Sequence, residues 1–165
     1  MTPDRAFALL DDPATAPEGL SWFQHRAQER PDSVRATFDL AGAYDRLGRE
    51  AEAAPIYEQV LRLGLDTLPE IDQARWHVQY GSTLKQIGRL EDSRAVLANG
   101  VALFPEHGAL PVFLAFTELA LGRRDAALAA LLAGAAAADP YGSRARYRRA
   151  ITAYASEFLP SREAY

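Results

Sequence analysis

The sequence predicts an all-α chain of stacked helical hairpins, on three observations. Three segments align on a glycine: DRLGREAEAA around Gly48, KQIGRLEDSR around Gly88 and LALGRRDAAL around Gly122. Each glycine follows an apolar residue (Leu47, Ile87, Leu121) and precedes an arginine (Arg49, Arg89, Arg123). Gly88 and Gly122 are 34 residues apart; Gly48 and Gly88 are 40 apart, the same period with six residues inserted. Apolar residues also recur at helical spacing on both sides of each glycine. Finally, no run alternates apolar and polar residues with β-branched enrichment, the mark of a strand. Helix pairs repeating at this period bury their apolar stripes against their neighbours in an array.

The elements follow in order. Residues 1–32 read as a degenerate unit. Its first helix, Met1 to Leu10, has Thr2 placed as N-cap and Pro3 at the first helical position. Pro13 and Pro17 break the chain, and Glu18 to Arg30 forms the second helix with Leu20, Phe23 and Ala27. Pro31 lies 34 residues before Leu65, in register with the later units. The unit at 33–67 has one stripe of Val34, Phe38, Ala41 and Tyr44 and another of Ala53, Ile56, Tyr57, Val60 and Leu61. The unit at 68–107 has Val78, Gly81 and Leu84, then Val96, Leu97 and Val101, and closes at Pro105. The insertion, around Asp66 to Ile71, is expected to lengthen the first helix of that unit, with Pro69 in its opening turn. The unit at 108–140 has Leu114 and Ala115, then Leu128, Leu131 and Leu132. Residues 141–159 read as a capping helix started by Ser143, with Tyr147, Ile151, Tyr154 and Phe158 on one stripe over the last exposed face. Glycine at each joint permits the positive φ that ends one helix and opens the turn. Small residues (Ala41, Gly81, Ala115; Ala53, Ser93, Ala127) stand where helices approach closely.

Composition removes whole classes of function. The chain has 165 residues and no cysteine, hence no disulfide framework, thiolate metal site or cysteine nucleophile. Its net charge of −4 argues against a mainly nucleic-acid-binding protein. Lys85 is the only lysine, which with the many alanines reads as the coding bias of a GC-rich bacterial genome. No signal-peptide pattern opens the sequence, and the apolar stretch from Ala126 to Ala138 is too short to span a bilayer, so a cytoplasmic protein is expected. His25, His77 and His107 lie apart, without metal-ligand spacing, and no nucleophile motif or phosphate loop is present. Neither catalysis nor a cofactor nor a metal is expected.

The joint, the period and the small and aromatic positions together resemble the tetratricopeptide repeat from Ser33 to about Pro140. The family's early leucine, small residue and aromatic are matched by Leu40, Ala41 and Tyr44, and its later alanine and aromatic by Ala53 and Tyr57. The second unit departs at Leu84 and Ser93 but keeps Gly81, Leu97 and Pro105; the third has Glu118 where the aromatic belongs. The stretches AGAYDRLGREAEAAPIYEQVLRLGLD and YGSTLKQIGRLEDS resemble a small bacterial subfamily without an established biochemical activity. The resemblance implies a right-handed α-α superhelix whose first helices line a groove for a peptide or protein segment. Projected onto this chain, the groove positions are Arg35, Phe38, Asp39, Gly42 and Asp45, then Arg75, Val78, Gln79, Ser82 and Lys85, then Val112, Phe113, Phe116 and Ala120. The first two sets are polar and mixed in charge; the third is apolar. Chaperone-binding relatives hold a carboxylate with asparagines at positions filled here by Gly42, Ser82 and Phe116, which argues against that specific activity.

Each candidate has a plainer alternative. Phe113 and Phe116 form either an anchor pocket or the seat of the capping helix, whose Tyr147, Ile151 and Tyr154 need a surface to pack on. Trp22-Phe23 and Trp76 are either partner surface or core. Arg144, Arg146, Arg148 and Arg149, with Arg162, give the chain from Pro140 a local net charge of +3 and the remainder −7. That run is either an anionic-ligand or nucleic-acid site or a solvated face, and no aromatic is interleaved as a stacking platform. The expected function is protein–protein interaction as a scaffold. The alternative class is a homodimer through apolar end faces.

Overall fold

The computed structural model describes residues 1–158, and every described element is helical. The helices are α1 (Pro3–Leu9), α2 (Ala16–Glu29), α3 (Val34–Arg46), α4 (Glu50–Gly64), α5 (Glu70–Gln86), α6 (Leu90–Leu103), α7 (Ala109–Ala120), α8 (Arg124–Ala136), α9 (Ser143–Arg146) and α10 (Arg148–Ser156). A 3-10 turn at Leu65–Thr67 precedes α5. Two compact units divide the chain, Met1–Arg89 and Leu90 onward.

In the first unit, α1 starts as its sequence predicts. The Thr2 hydroxyl accepts from the Arg5 N–H, and Pro3 occupies the first turn. Phe23 of α2 is buried with Ala6, Leu10, Leu20 and Ala43, and Trp22 packs half-buried beside it. Ser33 caps α3 through the Ala36 N–H. Tyr57 and Val60 of α4 and Trp76, Val78 and Leu84 of α5 form the centre of the core. Trp76 is core, its indole N–H donating to the Tyr57 carbonyl at 3.1 Å. Leu61 is exposed, so the inner stripe of α4 is narrower than its apolar pattern suggests. Pro55 sits inside α4 on the solvent side. The insertion is shared between the 3-10 turn and α5, which has 17 residues against 13 in α3 and 12 in α7.

The three aligned glycines adopt φ of 69°, 80° and 75°. At each, the arginine N–H reaches back five residues (Arg49 to Tyr44, Arg89 to Leu84, Arg123 to Glu118) and the glycine N–H reaches back three. This is the Schellman closure, in which the left-handed residue lets two otherwise orphaned carbonyls be satisfied. One local device thus ends α3, α5 and α7.

In the second unit, Leu97, Leu110, Phe113, Ala115 and Ala127 are buried. Leu128, Leu131 and Leu132, expected as the inner stripe of α8, are instead 58%, 38% and 62% exposed. The residues of α8 that face α7 are Ala127 and Gly134, where a Cβ would come within 3.1 Å of the Pro111 ring. Close helix packing selects the small residues for the inside and rotates the leucines out.

The capping segment is two short helices joined at Tyr147 (φ −95°, ψ 11°), not one. Ser143 does not cap its own helix. The Asp139 carboxylate does so, accepting the Ser143 N–H at 2.8 Å and the Arg144 N–H at 3.1 Å. The Ser143 hydroxyl instead accepts the Ala109 N–H at the start of α7, 3.0 Å away. The expected helix end at Leu159 and the Arg162 charge lie outside the described residues.

Candidate functional site

The polar groove positions of the first unit converge on one charged chain. Arg35 and Asp39 stand one turn apart on α3, and Asp72 and Arg75 stand three residues apart on α5. Arg26 of α2 meets Asp39 at 3.3 Å; Arg35 meets Asp39 at 3.6 Å and is hydrogen-bonded to Asp72; Arg75 meets Asp72 at 2.8 Å. Three guanidinium groups therefore alternate with two carboxylates. Both acids are buried (Asp39 8% and Asp72 7% exposed), while the arginines keep partial contact with solvent. Burial pushes the Asp39 carboxyl above its ordinary range, although Arg35 and Arg26 pull it back. Arg35 also lies over the Phe38 ring, 5.8 Å from its centre. The arrangement fixes three cations against two buried carboxylates.

Further along the same two helices, the Thr83 hydroxyl donates to the Asp45 carboxylate at 2.7 Å. Burial raises Asp45 to about 6, the Thr83 and Tyr57 hydroxyls lower it, and Glu50 adds to the rise. The Tyr57 hydroxyl points at the Gln79 carbonyl from 3.4 Å. Gln79, Ser82 and Lys85 are half-buried on α5, as is Gly42 on α3. Phe38 and Val78 are not surface positions: both are buried, Phe38 with its ring 6.2 Å from that of Tyr57.

The apolar positions of the second unit are covered. Phe113 and Phe116 are 3% and 5% exposed. The Tyr147 and Tyr154 rings lie 5.5 and 5.8 Å from Phe113, and Tyr154 and Phe158 lie 5.5 and 6.3 Å from Phe116. These two phenylalanines seat the C-terminal helices and present no open anchor pocket. Val112 remains half-buried and Ala120 is exposed.

The departures at Ser93 and Glu118 are compensated. The Ser93 and Thr117 hydroxyls are hydrogen-bonded at 2.9 Å, both fully buried. Glu118 is buried and receives Arg94 at 2.8 Å and Arg123 at 3.8 Å. In the arginine run, Arg144 is tied to Asp139 and to the Gly134 carbonyl, whereas Arg146, Arg148 and Arg149 are not buried. His25 pairs with Glu29 on the surface, and His77 and His107 are buried; burial lowers His77 below its ordinary value. No cluster able to hold a metal occurs among the described residues. No helix among them is long and apolar enough to cross a membrane.

A family model described as "Tetratrico peptide repeat" matches residues 34–158. The chain belongs to the tetratricopeptide-repeat family. Solved structures of MamA are similar in fold to this tetratricopeptide protein. One form of MamA AMB-1 has a TM-score of 0.67 at 19% identity, over 78% of this chain and 72% of that one. Another MamA crystal structure has a TM-score of 0.67 at 14% identity, over 88% and 85%. A point mutant of MamA has a TM-score of 0.64 at 17% identity, over 98% and 81%. At such identities these likenesses establish the fold alone. No curated protein matches the chain in sequence.

The members of the charged chain that the sequence did not single out are Arg26 and Asp72. Asp72 carried a signal, its spacing of three from Arg75 on a helix. Arg26 carried none, because its partner lies on the next helix.

Proposed function

We propose that this tetratricopeptide protein is a non-catalytic interaction module that takes an extended protein segment on the α3–α5 face of its first unit. The observation that carries the reading is the Arg26–Asp39–Arg35–Asp72–Arg75 chain. Its buried acids hold the guanidinium groups before any partner arrives, so little side-chain ordering remains to be lost on binding. Three arginines against two acids leave one positive charge within this chain of ion pairs. The partner favoured by this face is a segment with acidic or carbonyl-rich contacts. The test is capture from the source cell with wild type and with the paired variant Arg75→Glu, Lys85→Glu, identifying bound proteins by mass spectrometry. A protein held by wild type and lost by the variant, at unchanged helical circular dichroism, supports the proposal. An identical set of captured proteins for both chains overturns it.

A further inference from the structure

The outward face of α8 is the feature that groove binding leaves unexplained. From Ala126 to Ala138 the chain has no charged residue and no polar side chain. Leu128, Leu131 and Leu132 are exposed there, as are Ala129, Ala133, Ala135 and Ala136. Leu128, Leu131, Leu132 and Ala135 follow the i, i+3, i+4, i+7 spacing of a helix–helix seam. We propose that this face is a homotypic interface, paired in solution with the same face of a second copy of the chain.

Charge selects that occupant, and area sets its strength. A two-fold interface brings one patch against itself, so a charged patch of one sign repels its copy; this one has nothing to repel. Antiparallel pairing about an axis near Ala130 sets Leu128 against Leu132 of the second copy. It also sets Arg124 and Asp125, the last charges before the run, at the rim opposite alanines. The helix dipoles then oppose, which favours the pair. A partner of different sequence is chosen by hydrogen bonds or charges, and the face supplies neither. A membrane surface is gripped by apolar side chains flanked by basic ones, and residues 126–138 hold no basic residue. The 13 residues of α8 make a cylinder about 20 Å long, whose outer half offers on the order of 400 Å². That is about half of a standard interface per partner, so the dimer is weak and depends on concentration. The proposal does not rest on the α3–α5 face.

The experiment is sedimentation velocity on the full chain from low to high micromolar concentration, for wild type and for Leu128→Glu, Leu132→Glu. Both leucines point outward, so circular dichroism of the variant should match wild type. A wild-type monomer–dimer equilibrium is expected, with dissociation at least about a hundred-fold easier in the variant, because two carboxylates from each copy would be buried against those of the other. Since the chain has no cysteine, Leu131→Cys gives a second readout. It should form disulfide-linked dimers with oxidised glutathione, while Ala51→Cys, on exposed α4 surface, should form no disulfide-linked dimer. A strict wild-type monomer overturns the proposal, as does a dimer that survives the double variant. Binding of monomeric wild type, but not of the variant, to phosphatidylcholine vesicles overturns it in favour of a membrane surface.

Discussion

Asp45→Asn should make the first unit more stable at neutral pH, despite removing a hydrogen-bonded carboxylate. Burial raises the Asp45 carboxyl from 3.8 to about 6 in the folded chain. Between those values the folded state holds a proton that the unfolded state has released. Stability contributed by this group is therefore full below pH 3.8 and is lost as pH rises through 6. A shift of about two units corresponds to roughly 3 kcal/mol. Asp45 retains some solvent contact and the asparagine amide is itself partly desolvated, so we expect a net gain of about 2 kcal/mol above pH 7. Asparagine keeps an oxygen for the Thr83 hydroxyl, 2.7 Å away in the parent. The assay is urea unfolding followed by tryptophan fluorescence from pH 4 to 8. Both tryptophans, Trp22 and Trp76, lie in the first unit, so the signal reports the unit that contains Asp45. The difference between variant and wild type should be near zero at pH 4 and grow to its full size by pH 7. Parallel stability curves across the range, or an asparagine variant less stable at pH 8, would refute the reasoning.

Other outcomes test separate parts of the fold. Asp139→Ala removes the acceptor for the Ser143 and Arg144 N–H groups and the Arg144 ion pair; it should loosen α9 and α10 from α7, uncover Phe113 and Phe116, and increase binding of a hydrophobic dye without loss of α7 or α8. Arg94→Leu should cost about 2 kcal/mol, because Glu118 is left buried with only the longer contact to Arg123, and adding Glu118→Met should recover most of that loss in chemical unfolding. Gly88→Ala places a Cβ at φ 80°, and should lower stability by about 1 kcal/mol with no steric clash, since nothing lies within 4 Å. Pro55→Ala restores the N–H that α4 lacks and should raise the unfolding midpoint by an amount equivalent to about 1–2 kcal/mol, measured by the same fluorescence.

Local signals were readable wherever chemistry acts within one or two turns of chain. The glycine joints are such a case: positive φ, the preceding apolar residue and the following arginine N–H all belong to one short closure. The Thr2 cap is another. What the sequence did not disclose depends on neighbours distant in the chain. Arg26 and Asp39 are 13 residues apart, and Arg35 and Asp72 are 37 apart, so no spacing rule joins them. Ser143 looked like the cap of its own helix but serves Ala109, 34 residues earlier. The residue types were right for capping; the direction was set by packing.

The largest misreading, α8, has a more general cause. A helical stripe identifies one face by contrast with a polar opposite face. In α8 that contrast is missing, because alanine, leucine and glycine occupy every position from 126 to 138. Periodicity then favours the large residues as core, whereas the real constraint is how near the α8 axis can come to α7. Gly134 answers it: an added Cβ would meet Pro111 at 3.1 Å and Val112 at 3.3 Å. Once the small residues turn inward, the helix geometry carries Leu128 and Leu132 away from α7, while Leu131, four residues from Ala127 and three from Gly134, stays at the edge of the inner face and is the least exposed of the three. Substituting Gly134→Leu therefore tests the account of α8 at its root. The side chain should separate α8 from α7 and destabilise the second unit by about 2 kcal/mol or more, while leaving the tryptophan-reported transition of the first unit in place. A neutral effect would mean that α8 is free to rotate, and that its leucines face outward by chance and not by packing.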